Sequence, residues 1–244
     1  RSYSYELTII MAIEPINFVV FLMGPTASGK TELAIEISKH INSKLISVDS
    51  ALIYRGMDIG TAKPSKEILT AYPHELVDIC EPEDSFSVTE FISLAKEHIK
   101  SALAEGKLPI LVGGTSFYFN ALEHGLSELP SSTDESRKHF NDLLKSEGSV
   151  KLHSKLTEID PKSAARIHSN DSQRVTRALE VFHLSGETLS KLQGKKNQNK
   201  LDLNIKKIVL MPDRAVLHQR IEQRFIKMIK DGFLNEVENL RKNK

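Results

Sequence analysis

The chain has 244 residues, 40% of them hydrophobic and 27% charged, with a formal net charge of +1. It is long enough to bury a sizeable core, as one large domain or as a core plus an insertion, and no apolar run approaches the ~20 residues that span a bilayer. A single cysteine, Cys80, excludes an internal disulfide and suits a reducing cytoplasm. No signal-peptide pattern opens the chain. Residues 1–15, which begin at Arg1 and hold Met11 as a plausible start, read as a disordered or non-native extension.

Residues 18–23 form a continuous apolar run, predicted to be a buried strand. Gly24, Pro25, Thr26, Ala27, Ser28, Gly29, Lys30 and Thr31 follow it and fit G-x-x-x-x-G-K-[ST]. Leu33, Ile37 and Ile41 then recur at helical spacing, so a helix is predicted over 31–40. Strand, glycine loop and helix in that order aim backbone N–H groups and a positive helix end at one point, where an anionic diphosphate binds. Lys30 adds a point charge, and the Thr31 hydroxyl is suited to ligate a Mg²⁺ carried by the phosphates. The competing reading is a glycine-rich turn without a ligand.

Four further strands are predicted, over 44–49, 74–79, 108–112 and 205–211. Between the second and third of these, a helix is expected over 87–105, with Ser87 as N-cap, Glu90 three residues on, and Gly106 as the stop. Strands alternating with helices predict an α/β fold, a P-loop NTPase-like parallel sheet with helices on both faces, whose core begins in residues 16–128. The alternation then stops. Helices are predicted over 136–147, 150–159, 162–167 and 172–184, so residues 129–200 read as an all-helical insertion ending in a flexible basic linker, 194–200. Residues 201–244 return to the core with the last strand and one long helix from 213 to about 241, which ends without a capping signal and suggests a fragment. Charge is polarised as well: residues 1–129 carry −7 and residues 130–244 carry +8. A basic second half suits nucleic acid, and equally an ordinary lysine-rich face.

Ligands of an open parallel sheet bind at the C-terminal ends of its strands. The phosphate loop, Asp49-Ser50 and Gly113-Gly114-Thr115 all fall there. Asp49 is placed to serve as a general base or metal ligand, or else as a turn cap. Thr115 is a substrate contact or a helix N-cap. Arg174 and Arg177 share one helix face, suited to phosphate contacts or to an ion-pair ladder with Glu180. Arg220 and Arg224, four apart on the final helix, could close over a diphosphate. None of the nine histidines shows metal spacing, and His74, His98 and His183 read as structural.

Residues 24–31, 46–64, 111–115, 160–181 and 218–225 together resemble tRNA dimethylallyltransferases, over a match running from about Ile16 to the C-terminus. The phosphate loop is shared with many ATP-binding kinases, whereas the 46–64 block, Ile-Ser-Val-Asp-Ser-Ala-Leu-Ile-Tyr-Arg-Gly-Met-Asp-Ile-Gly-Thr-Ala-Lys-Pro, is specific. The resemblance implies transfer of a dimethylallyl group from its diphosphate to N6 of the tRNA adenosine immediately 3′ of the anticodon. By the same resemblance Asp49 is the general base, Thr115 contacts substrate near the reacting centre, and the 24–31 loop with Mg²⁺ holds the leaving group. Asp49, Ser50, Ala51, Leu52, Thr115, Arg137, Gln173, Arg174, Val175, Thr176 and Arg177 match family positions that contact tRNA. A monomer in the cytoplasm, with no membrane and no stable protein partner, is expected. A nucleoside kinase, a prenyltransferase acting on free adenylate, and an RNA-binding module with a vestigial loop are the alternatives. The family continues with an Arg-Cys-Val-Gly-Tyr-Arg block and further helices, so the 244-residue chain is expected to be weakly active or inactive, which a prenylation assay checks.

Overall fold

In the computed structural model residues 16–194 and 200–242 are described. The expectations for residues 1–15 and for most of the 194–200 linker lie outside them. Two compact units are present, one holding residues up to Glu123 and from Leu201, the other His124–Lys200.

The first unit is built on five parallel strands: β1 (Phe18–Met23), β2 (Ser43–Val48), β3 (His74–Glu75), β4 (Leu108–Gly113) and β5 (Asn204–Val209), in spatial order β3-β2-β4-β1-β5. This is the expected P-loop-like α/β sheet. Alternation along β1 sends Val20 and Leu22 to one face, where they pack with Ala34 of α1 (Lys30–His40). Phe21 goes to the other, its ring 5.0 Å from Phe119 of α4 (Ser116–His124). Tyr118 of α4 stacks at 4.3 Å on Phe91 of α3 (Val88–Ala104), whose N-terminus is closed by the expected Ser87–Glu90 capping box. A short helix, α2 (Lys66–Ala71), lies between β2 and β3 and was not signalled by periodicity. The second unit contains α5 (Asp134–Glu147), α6 (Ser149–Ile159), α7 (Pro161–Ala164), α8 (Ser172–Ser185) and α9 (Leu189–Gln193) around Phe140, Leu152, Leu156, Val175 and Leu179. The chain then passes through β5 to α10 (Arg214–Lys230) and α11 (Phe233–Lys242).

Three expectations need correction. The strand over 74–79 is only two residues long, because Leu76 and Asp78 take φ of 65° and 55° and turn the chain out of the sheet. The long C-terminal helix is two helices, interrupted at Asp231-Gly232, where Gly232 has φ of 101°. The helix expected over 162–167 shrinks to the single turn α7, capped by the Asp160 carboxylate.

Gly113 sits where β4 meets β2, and a Cβ there would lie 2.0 Å from the Val48 carbonyl oxygen. Gly113→Ala is therefore expected to destabilise the first unit by about 1–3 kcal/mol or more, read from urea unfolding.

Candidate active site

One cavity of about 850 Å³ opens at the C-terminal ends of the strands. The loop after β1 forms one side. Gly24 is forced by proximity, since a Cβ on it would approach the Leu210 carbonyl oxygen to 2.5 Å. Ala27 holds a left-handed φ of 59°, and Gly29, at the N-cap of α1, one of 91°. No side chain caps α1, so the first N–H groups of the helix are free of side-chain competition on the side lined by Gly29, Lys30 and Thr31. Lys30 Nζ donates to the Pro25 carbonyl at 2.6 Å and to Ser28 Oγ at 3.3 Å. Burial pushes its pKa below the usual lysine range, opposed by the attraction of Asp49 and assisted by the repulsion of Arg224.

Asp49 follows directly on β2 and lines the same cavity. Its Oδ1 accepts from Ala51 N–H at 2.8 Å and Leu52 N–H at 3.3 Å, which fixes the carboxylate as a turn cap. Oδ2 has no hydrogen-bond partner among the described residues, so capping and proton transfer are compatible in one side chain. Thr115 Oγ1 accepts from Ser50 N–H at 3.2 Å, tying the segment after β4 to the segment after β2. Arg220 and Arg224 of α10 complete the wall, with Arg220 3.4 Å from the Ala27 carbonyl.

Of the residues singled out for the core, Thr26, Ala27, Ser28, Gly29, Lys30, Thr31, Asp49, Ser50, Leu52, Thr115, Arg220 and Arg224 all line this cavity. Gly24 and Pro25 support the loop from behind, and Ala51 contributes its N–H to Asp49. The helical-unit candidates divide. Arg137 and Arg174 are exposed, beside Asp134 at 3.6 Å and Asp171 at 3.4 Å, and Gln173 is exposed. Val175 is fully buried in that unit's core, so its side chain offers no surface to a partner. Thr176 Oγ1 bonds to the Ser172 carbonyl. Arg177 donates to Glu180, Ser132 and the Pro130 carbonyl, so the ion-pair alternative is realised for this arginine. Burial alone would raise the Glu180 pKa, but the hydroxyls of Ser136 and Ser132 and the Arg177 guanidinium outweigh it and hold the carboxyl below its usual range.

Sequence reasoning missed the wall formed by Thr61, Ala62, Pro64, Ile68, His74 and Val77. Ser47 Oγ and His74 Nε2, both of residues that line the cavity, are buried without a hydrogen-bond partner among the described residues. A polar residue inside the apolar run of β2 was the available signal for Ser47.

Residues 52–244 match the family profile described as IPP transferase. The chain belongs to this family. A tRNA dimethylallyltransferase of Ruthia magnifica subsp. Calyptogena magnifica is 61% identical over 233 residues, 96% of this chain and 76% of the relative. The solved tRNA isopentenylpyrophosphate transferase of Bacillus halodurans is 38% identical with a TM-score of 0.62, covering 93% of this chain and 71% of that one. A eukaryotic dimethylallyltransferase solved acting on tRNA is 25% identical with a TM-score of 0.72, and the match takes in 93% of this chain and 56% of that protein. As an IPP transferase family member the chain is thus an enzyme of the prenyltransferase class.

His74 Nδ1 donates to the Tyr72 carbonyl at 2.8 Å, and burial lowers the ring's pKa, which that bond opposes. The folded state favours neutral His74, so its contribution is present above the unfolded value near 6.5 and is lost as pH falls through the lower folded value. His74→Gln is expected to shrink the loss of unfolding free energy between pH 7.5 and 5.5, measured in urea.

Proposed function

We propose that the chain transfers a dimethylallyl group from dimethylallyl diphosphate to N6 of the adenosine 3′-adjacent to the anticodon of a tRNA. The observation that carries this reading is one cavity in which a phosphate loop and two arginines face the same space as Asp49 and Thr115. The loop N–H groups, Lys30, Arg220 and Arg224 neutralise the diphosphate as the bond from C1 to its oxygen breaks. N6 forms the new bond to C1 and gives up a proton to the Asp49 carboxylate, which its turn holds in place. Thr115 keeps the Asp49-Ser50 segment in register and faces the substrate.

Among the described residues no group of three His, Cys, Asp or Glu side chains is gathered to hold a metal. A Mg²⁺ would therefore arrive with the diphosphate, with the Thr31 hydroxyl as its protein ligand, and would offset leaving-group charge. The reacting amine must be exposed, so the adenine is read as flipped out of its stack. Exposed Arg137, Gln173 and Arg174 on the basic helical unit suit the RNA backbone. No helix among the described residues is long and apolar enough to cross a membrane. Action on tRNA as a cytoplasmic monomer is part of the same proposal.

Incubating the full-length protein with labelled dimethylallyl diphosphate and either tRNA or AMP tests the reading. Label in tRNA supports it, whereas label in AMP, or turnover of ATP alone, overturns it. Asp49→Ala is expected to lower turnover by ~10²–10⁴ while dimethylallyl diphosphate still binds. Equal loss of binding would make Asp49 a structural or metal-binding residue instead.

A further inference from the structure

We propose that Glu236 is a positioning residue for this reaction, a clamp by which α11 holds the cavity wall that follows β2. Its carboxylate accepts from three successive backbone N–H groups, Asp58 at 2.8 Å, Ile59 at 2.7 Å and Gly60 at 2.9 Å. The next residues, Thr61, Ala62 and Pro64, form part of the wall of the cavity that holds Asp49 and the phosphate loop. Phe233, one turn earlier on α11, presses its ring on Gly60 so closely that a Cβ there would lie 2.3 Å from it. The same segment is tied on its other side by Lys63, whose side chain is 3% exposed and donates to the Tyr54 carbonyl, Asp58 and Asp78.

These ties have something to hold. Ala62 sits at a left-handed φ of 53°, a conformation a non-glycine residue keeps only when its surroundings impose it. Three N–H groups that end on one carboxylate cannot each find water without the loop moving, and hydrogen bonds to a charged acceptor are the stronger kind. Glu236 touches no reacting atom in this scheme. It acts through the loop, setting the shape of the space beside the diphosphate site, and α11 thereby becomes part of the active site although none of its side chains lines it.

The inference rests on the proposed prenyl transfer to tRNA, and the test separates the two. Glu236→Ala and Glu236→Gln are compared with the unaltered protein, all three at full length, for tRNA prenylation, inorganic pyrophosphate binding and amide hydrogen exchange. Glu236→Ala is expected to lower kcat/KM about tenfold or more, to speed exchange at residues 58–60, and to leave pyrophosphate affinity and the protection of β1 and β4 within twofold. Glu236→Gln, which keeps the length and one acceptor oxygen, recovers part of both losses. A kcat/KM within twofold of the unaltered chain would overturn the proposal, as would parallel loss of pyrophosphate affinity and sheet protection in both variants. If the unaltered full-length protein does not prenylate tRNA, the functional reading fails, and unchanged exchange at 58–60 in Glu236→Ala then overturns the clamp by itself.

Discussion

The first unit depends on the reversal between β1 and α1, where the chain leaves the sheet and re-enters as a helix within six residues. That turn demands left-handed backbone at Ala27 and Gly29 and a bare Cα at Gly24 against the carbonyl of Leu210. Side-chain caps are absent by necessity, since a cap would occupy the N–H groups that the turn presents. Backbone donors that no side chain caps, an ammonium group in a partly buried setting and an alanine with left-handed φ are gathered at one point. A bound anion would accept from those donors and offset the ammonium charge, while the backbone of Ala27 stays as the turn sets it.

The helical unit solves a different problem. Glu180 is almost wholly removed from water, yet four groups converge on it or on its neighbour Arg177: the Ser132 and Ser136 hydroxyls, the guanidinium itself and the Pro130 carbonyl. A buried carboxylate with three side-chain donors is kept charged and fixes the entry of α5 against α8. Arg177 is thereby withdrawn from the outward-facing set, and Arg174 on the same helix, 74% exposed, is left as the accessible cation.

What the sequence revealed was what short separations encode. The loop of residues 24–31, the Ser87–Glu90 capping box and the parallel alternation were legible because each signal is complete within a few positions. Strand 74–79 misled because alternation reports side-chain pattern, and the left-handed turns at Leu76 and Asp78 leave no trace in it. The break at Asp231-Gly232 was written as a glycine, but apolar spacing on both sides masked it. The contact of Glu236 with residues 58–60 spans 176 to 178 positions and had no local mark at all. Val175 shows that a position can sit inside a functional-looking run and still pack in the core, because a helix shows only part of its circumference to solvent.

The order of strands in the sheet carries a temporal consequence. β1 is made early in synthesis, yet one of its two neighbours, β5, is separated from it by the whole helical unit. The carbonyl that crowds Gly24 belongs to Leu210, just beyond β5. A ribosome-bound chain can therefore display the phosphate loop's sequence long before it can hold the loop's geometry. Contacts of such long range slow folding by the loop entropy they must close, so the geometry of the loop after β1 is among the last features of the first unit to mature.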